Sequence, residues 1–440
     1  MPMPRLTIKL RATRRARHVW LSRSLWNRRV VFLVGSLLVG LVAVAFAIAA
    51  TQINIALHRL VTAWPWAPFI TAPAGMGTIA FLGRRFFRGA QGSGIPQTIA
   101  ALGYPLPALR SELLSLRVAA GKIMLTLLGL ACGASIGREG PTVQIGAAIM
   151  YAMSRVSSFP HETMKRGLIL AGGAAGIAAA FNAPLAGVVF AIEEMSRSFS
   201  QRTSGIVMTA VIVAGIVSLA LLGDYAYFGQ TSATMGVASG ALAVIVCGTG
   251  GGLLGGAFSR LLIASSTWLP GHLEALRRER PVLFGAACGI VLAMLGYLSE
   301  GTVYGTGYAE TRAILEGRDI PASFGALKLL ATVVSYASGI PGGIFSPSLA
   351  VGAGLGQNAA LLVPGAPLAA VAILGMVAYF AGVVQAPLTA FVIVIEMTRD
   401  SGMALPLLAC ALIAHGFSRL VCPRPVYKAL AKSFRPGPVR

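Results

Sequence analysis

The sequence predicts an all-α protein that crosses a membrane many times through tilted, broken and re-entrant helices. Of its 440 residues, 56% are hydrophobic and only 11% are charged, whereas a soluble domain carries about 25% charged residues. Its 53 glycines and 24 prolines interrupt the apolar stretches. Several stretches are therefore shorter than the roughly 20 residues that a helix needs to cross the hydrocarbon core. Short or Gly/Pro-interrupted apolar segments are typical of transporter binding sites.

The first apolar run, residues 30–52, contains no charge and is long enough to cross a bilayer. It is too long for the apolar region of a cleaved signal peptide, and many apolar segments follow it. The preceding segment, residues 1–29, carries nine Lys or Arg residues and no acid. Because an excess of Lys and Arg beside membrane segments marks the cytoplasmic side, we expect this segment to be cytoplasmic.

The tail, residues 422–440, is also basic, which places the second terminus in the cytoplasm. The net charge of +22 could suggest a nucleic-acid partner. However, the basic residues are concentrated at the two ends, where contact with anionic lipid headgroups explains them. We therefore expect a lipid bilayer and no nucleic acid as a partner. The five cysteines and five histidines are scattered without metal-ligand spacing, so no metal site is expected.

Between the basic ends, the chain contains two related halves. The segment 181–195 is echoed by 384–397, with the matching prolines 203 positions apart, and 137–146 is echoed 206 positions later by 343–352. Two independent matches at nearly one offset indicate an internal repeat. The sequence therefore predicts two transmembrane repeats, residues 30–223 and 237–421.

Several Gly/Pro-rich segments have the composition of helix starts. Proline just inside a helix start with glycine before it is a typical N-terminal signal. The start of a helix carries partial positive charge and unpaired N–H groups, so it binds anions. Partial charges hold an ion weakly enough to let it leave. The alternative is that these glycines only allow close helix packing. The segments are residues 92–96, 137–141, 182–184 and 342–347.

Acids inside apolar stretches are the other candidates for function. A charged group at membrane depth costs at least about 2.5 kcal/mol, so such residues are functional hypotheses by default. A carboxylate beside an anion site competes with the anion when ionised and carries a proton when neutral, which couples the two ions. Glu193 and Glu194 are adjacent, so they point to different faces and need not share a role. The four acids are Glu139, Glu193, Glu194 and Glu396.

The chain resembles the CLC family of chloride channels and chloride/proton antiporters. The segments that carry the resemblance are, in chain order, GSGIP (92–96), GREGP (137–141), the stretch 182–195 and GIFSP (343–347). Pro425-Val426-Tyr427 adds to the resemblance, which covers residues from about 30 to 430. It implies a CLC-type fold of two inverted-topology repeats. It also implies a homodimer with one pathway per subunit, no cofactor, and a place in the bacterial inner membrane. The regulatory cytoplasmic domains of eukaryotic relatives are not expected.

The resemblance implies a chloride site made of hydroxyls and backbone N–H groups. Ser93 and Tyr427 would give the hydroxyls, and the N–H groups of Ile344 and Phe345 would complete the site. Ser93 favours chloride, since nitrate-preferring relatives have proline at that place; bromide and nitrate remain further candidate anions. The full set of implied chloride-binding residues is Ser93, Arg138, Gly140, Ile344, Phe345 and Tyr427.

Glu139 resembles the external gating glutamate of the family, whose side chain occupies an anion position when ionised and swings away when protonated. Glu194 resembles the internal proton-transfer residue of the antiporters. Channel members commonly lack an acid there, so Glu194 favours exchange of chloride for protons. The alternative is a passive voltage- or pH-gated chloride channel of the same fold. A proton-coupled fluoride transporter is disfavoured, since those relatives depart from the GSGIP and GREGP patterns.

The sequence departs from the family pattern after GSGIP. Bacterial relatives often carry acids there, one of which pairs with a buried lysine, whereas this chain has Gln97-Thr98-Ile99 and retains Lys122. Lys122 then needs another partner, and backbone carbonyls or the neighbourhood of Tyr427 are candidates.

An enzyme is not expected. The alternative would be an intramembrane serine hydrolase with Ser93 as nucleophile and His415 as base. Such enzymes favour a Gly-x-Ser-Gly frame, but the residue two before Ser93 is Gln91. The Ser93 hydroxyl fits an anion donor better.

Overall fold

The computed structural model describes residues 22–156, 162–196, 201–224, 226–229, 235–267 and 270–434. Residues 1–21 of the expected basic N-terminal segment and 435–440 of the expected tail lie outside this description. The described parts are built from α-helices joined by short connections, which confirms the predicted all-α class with broken helices.

The first half of the chain begins with a helix of 41 residues. Shorter helices follow, and four of them have proline in the first turn, where its missing N–H costs no helix hydrogen bond. A π-helical turn, Ala191–Ser196, continues the last short helix. These helices are α1 (Arg23–Ala63), α2 (Pro68–Arg85), α3 (Ile95–Gly103), α4 (Pro107–Leu113), α5 (Leu116–Ala131), α6 (Glu139–Val156), α7 (Glu162–Phe181), α8 (Pro184–Phe190) and α9 (Gln201–Leu222).

The second half repeats this order of long and short helices. Its helices α15 and α17 begin 206 and 203 positions after α6 and α8. The helices are α10 (Val237–Thr267), α11 (Gly271–Glu279), α12 (Pro281–Leu298), α13 (Tyr308–Leu315), α14 (Phe324–Ala337), α15 (Phe345–Ala360), α16 (Leu368–Val384), α17 (Pro387–Thr398), α18 (Ala404–Val421) and α19 (Val426–Ala431). Among the described residues, seven helices are long and apolar enough to cross a membrane.

Close helix crossings occur at matching places in the two halves. A Cβ on Gly352 would lie 2.6 Å from the Gly375 carbonyl oxygen, and a Cβ on Gly146 would overlap the Gly172 carbonyl. The α6–α7 and α15–α16 pairs therefore touch backbone to backbone, as small residues allow in membranes.

Two carboxylates tie the halves to each other. The Glu193 carboxylate accepts hydrogen bonds from the N–H groups of Leu388 (3.2 Å) and Thr389 (2.6 Å) at the start of α17. The Glu396 carboxylate accepts from the N–H groups of Leu185 (3.0 Å) and Ala186 (2.6 Å) at the start of α8. Each acid thus caps the positive end of a helix in the opposite half.

Replacing Glu396 by Ala is expected to lower the free energy of unfolding by about 1 kcal/mol, the usual cost of losing a helix N-terminal cap. Glu396→Gln keeps an acceptor oxygen and should cost less. Thermal unfolding followed by tryptophan fluorescence measures both. An Ala variant as stable as the unmodified protein would show that the cap contributes nothing.

Candidate functional site

Three predicted motifs meet through backbone hydrogen bonds. Gly137 and Gly343 exchange two N–H···O bonds of 2.7 Å. The Gly92 N–H donates to the Ile340 carbonyl (3.2 Å), and the Gly342 N–H donates to the Gly92 carbonyl (3.1 Å). The connections that precede α3, α6 and α15 are therefore held side by side.

Because of this arrangement, the starts of α3, α6 and α15 are neighbours. α6 begins at Glu139, and α15 begins at Phe345 with Ile344 as its N-terminal flanking residue. First-turn N–H groups have no partner within their own helix and give that end partial positive charge. A Cβ on Gly140 would lie 2.5 Å from the Ser93 Oγ, so only glycine allows this approach.

Two buried hydroxyls lie beside these helix starts. Ser93 and Tyr427 are 1% and 0% exposed. In the described part of the chain neither hydroxyl makes a hydrogen bond of normal length, although the two lie near enough to interact with each other. The Tyr427 ring packs against Phe345 with centroids 5.9 Å apart. An unpaired buried hydroxyl costs about 1–3 kcal/mol, and two such donors beside positive helix ends suit a small anion. Since Ser93 Oγ makes no hydrogen bond of normal length within the described residues, it forms no nucleophile–base pair with His415.

The Glu139 carboxylate is fully buried and is folded back toward the same place. Its Oε1 accepts a hydrogen bond from the Ser346 hydroxyl at 2.6 Å, and a Cβ on Gly137 would overlap its Oε2. The sequence reasoning did not identify Ser346. Its place directly after Phe345, in the first turn of a predicted anion-binding helix, was the signal that could have found it.

The Arg138 guanidinium points away from this carboxylate. Its Nη1 donates to the Ala47 carbonyl and to Thr51 Oγ1 (3.3 Å) on α1, and the guanidinium lies over the Tyr227 ring at 5.8 Å. Its Nε is 4.0 Å from Glu139 Oε1. Arg138 therefore fixes the start of α6 to α1 and contributes its side-chain charge from the edge of the site.

Glu194 lies on the π-helical turn and is 1% exposed. Such turns are frequent at functional sites. Glu193, one residue earlier, faces the start of α17, so the two adjacent acids do point to different surroundings. Burial raises the pKa of Tyr427 well above its usual range, and the charges of Glu194 and, more weakly, Glu139 raise it further. Tyr427 is therefore within electrostatic reach of both acids.

Lys122 is bound by backbone carbonyls, one of the two alternatives left open by the sequence. Its ammonium donates to the carbonyls of Ala90 (2.6 Å), Gln91 (3.3 Å) and Gly92 (2.8 Å). Gln97 lies in the stretch where bacterial relatives often carry acids. Its side-chain oxygen caps the start of α3 by accepting a hydrogen bond from the Gly94 N–H at 3.0 Å. Lys122 thus fixes the segment that leads into Ser93.

A second lysine, Lys328, occupies the matching position 206 residues later. It donates to the carbonyls of Val303 (2.8 Å), Tyr304 (3.4 Å) and Gly305 (2.8 Å). Burial raises the pKa of the nearby Glu310 carboxyl, and the charge of Lys328 opposes that rise. The sequence reasoning missed this lysine, although the repeat offset predicts its position.

Two cavities approach the site from different sides of this junction. Ser93 lines a cavity of about 300 Å³, together with Gln97 and Tyr336. Arg138 lines another of about 490 Å³, together with His58. They share no lining residue. Glu139 lines neither cavity. It is adjacent in sequence to Arg138, and its neighbour Gly140 lies against Ser93. The described residues contain no group of three or more His, Cys, Asp or Glu side chains that could hold a metal ion.

Known proteins are similar to this chain in sequence and in fold. Residues 75–419 match the family model described as voltage gated chloride channel. The chain is 30% identical over 420 residues to the H(+)/Cl(-) exchange transporter ClcA of Vibrio vulnificus (strain YJ016), covering 89% of this chain and 88% of that protein. The corresponding protein of Salmonella arizonae is 33% identical over 415 residues, covering 89% and 85%. A slow cyanobacterial Cl-/H+ antiporter has a similar structure, with a TM-score of 0.80, 27% identity and coverage of 92% and 97%.

Proposed function

The chain belongs to the voltage gated chloride channel (CLC) family, and from that membership we propose that it exchanges chloride for protons, with Glu139 as the gate and Glu194 as the internal proton-transfer residue. Relatives at 30% and 33% identity that carry the name of H(+)/Cl(-) exchange transporters support exchange over passive conduction. The observation that carries the assignment of the gate is the buried carboxylate of Glu139, which begins one helix and accepts a hydrogen bond from Ser346 in the first turn of another.

In this mechanism the ionised Glu139 carboxylate occupies the position that an anion would take. A proton that reaches Glu139 removes its charge, so the attraction of the helix ends for the side chain falls. Chloride then binds in its place, held by the Ser93 and Tyr427 hydroxyls and the N–H groups near Ile344 and Phe345. Such contacts are weak enough for the ion to leave again.

Glu194 supplies protons to this gate from the other end of the route. Tyr427 lies within electrostatic reach of both acids, so the chloride position and the proton route share one neighbourhood. We propose that water carries the proton between Glu194 and Glu139. No enzymatic step is part of this function.

We propose a homodimer in the bacterial inner membrane, with both basic ends in the cytoplasm, and bromide and nitrate as further anions. We also propose the repeat boundaries 30–223 and 237–421. The end of α9 at Leu222 and the start of α10 at Val237 support those boundaries.

Replacing Glu194 by Gln is expected to abolish proton movement and leave chloride flux, because the amide keeps the shape but cannot carry a proton. Purified protein in liposomes, with chloride and pH followed together, measures both ions. The matched control is Glu193→Gln, which removes the same charge one residue earlier and should retain proton movement. If the unmodified protein moves chloride but cannot drive protons against their gradient, the channel alternative is correct.

A further inference from the structure

The Ser346 hydroxyl donates a hydrogen bond of 2.6 Å to the carboxylate of the proposed gate. We propose that Ser346 is a positioning residue whose hydroxyl holds the ionised Glu139 carboxylate in the anion position, and so sets the acidity at which exchange begins. This inference rests on the proposed role of Glu139. The chloride-site residues implied by the family resemblance contribute backbone groups at Ile344 and Phe345, whereas this contact is made by the next side chain.

The geometry of the contact is that of a strong hydrogen bond. Ser346 Oγ and Glu139 Oε1 are 2.6 Å apart, within the range of short O–H···O⁻ bonds. Ser346 and Glu139 are 3% and 0% exposed, so water does not screen the contact. Oε2 of the same carboxylate has no hydrogen-bond partner among the described residues. Ser346 therefore fixes the carboxylate through one oxygen.

The bond favours the ionised gate over the protonated one. A hydroxyl can donate to a carboxylate and can also accept from a carboxylic acid. Hydrogen bonds to an ionised acceptor are roughly twice as strong as bonds between neutral groups. The Ser346 hydroxyl therefore stabilises the seated, charged side chain more than the neutral one, and protonation has to overcome that difference.

The other charged or titratable groups around Glu139 are held independently of Ser346. Arg138 lies 4.0 Å away through Nε, and its Nη1 is bound to Ala47 and Thr51. Tyr427 on α19 reaches Glu139 and Glu194 electrostatically. Since no hydrogen bond among the described residues joins the Ser346 side chain to these groups, changing Ser346 alone alters the gate without removing them.

The test is the pH profile of chloride flux from liposomes that contain the full chain. Ser346→Ala is expected to move the pH of half-maximal flux upward by about one unit, a tenfold lower proton concentration, because a hydrogen bond to a charged group is lost. Ser346→Thr keeps the hydroxyl and should restore the original profile. A profile of Ser346→Ala that coincides with that of the unmodified protein would overturn the proposal.

Ser348 provides a matched control. It lies on the same helix, is 1% exposed, and its hydroxyl has no hydrogen-bond partner among the described residues. Ser348→Ala therefore removes an equivalent buried hydroxyl without touching the gate, and its pH profile should not move. An equal shift in this variant would show that the effect comes from general loosening of α15, which also overturns the proposal. Ser346→Cys, a weaker donor, should give an intermediate shift and serves if the Ala variant does not fold.

The Glu139→Gln background separates this inference from the proposed gate. There, the flux is expected to be independent of pH, and adding Ser346→Ala should leave it so, because no carboxylate remains for the hydroxyl to hold. A pH dependence produced by Ser346→Ala in that background would contradict the role of Ser346. If Glu139→Gln alone leaves the pH profile intact, the gate assignment itself is wrong. If Glu139→Gln removes pH dependence while Ser346→Ala leaves the profile of the otherwise unmodified protein in place, only the inference about Ser346 fails.

Discussion

Replacing Glu139 by Gln is expected to abolish coupled proton movement and leave a chloride flux that no longer depends on pH. The amide has nearly the same shape, so the site remains intact, but it has no charge that would compete with chloride. It also cannot bind and release a proton in the physiological range. Simultaneous recording of chloride and proton movement in liposomes, at several pH values, measures the result.

Loss of all chloride flux in Glu139→Gln would contradict the gate assignment. It would mean that the carboxylate is part of the scaffold, where it accepts from Ser346. Glu396→Gln is a suitable control, because this acid also lies in an apolar stretch but caps α8. Its variant should retain proton coupling. Coupling lost equally in both variants would point to a general effect of removing buried charge.

Replacing Lys122 by Met is expected to lower the free energy of unfolding by about 3 kcal/mol or more, because buried carbonyls lose their donor. Methionine fills most of the volume but donates no hydrogen bond. The three carbonyls precede Ser93, so chloride flux should fall with stability. Equilibrium unfolding in mixed micelles, together with the flux assay, measures both quantities.

Lys328 is the matched position for this experiment. Lys328→Met should also destabilise the protein, and by more, since it leaves the buried Glu310 carboxylate without its neighbouring positive charge. Adding Glu310→Gln to that variant should recover part of the loss. If Lys122→Met leaves the free energy of unfolding unchanged, the carbonyls find other donors. Lys122 would then not be what stabilises this segment.

The membrane class and the positions of the helix starts could be predicted because both depend on local composition. Glycine and proline mark helix starts, and the starts of α3, α6 and α15 are where the sequence indicated them. The matching role of Lys328 could also have been predicted, since Lys328 follows Lys122 by the repeat offset of 206 positions.

The partners of buried polar groups could not be predicted in the same way. Glu193 and Glu396 looked like candidates for proton chemistry because they are acids in apolar stretches, but each caps a helix about 200 positions away. The bond between Ser346 and Glu139 likewise joins residues 207 positions apart. Such contacts depend on how the halves pack, which no local pattern reports.

Two glycines of the 137–146 motif have different roles, which the sequence alone could not distinguish. Gly146 lies where two helices touch, whereas Gly140 gives Ser93 access to the start of α6. Both positions require the absence of a side chain, so both look alike in a single sequence. Only the neighbouring atoms show which glycine serves packing and which serves the site.

The exchanged caps of Glu193 and Glu396 have a mechanical consequence. Each half caps the start of a helix in the other half. Sliding of one half past the other would therefore break four hydrogen bonds to charged oxygens at once. The two caps lie at opposite ends of the α8–α17 pair, so together they oppose sliding of one half along the other. Alternating access by rocking one half over the other is therefore the costly route for this protein. Movement of the Glu139 side chain alone leaves all four of these hydrogen bonds intact.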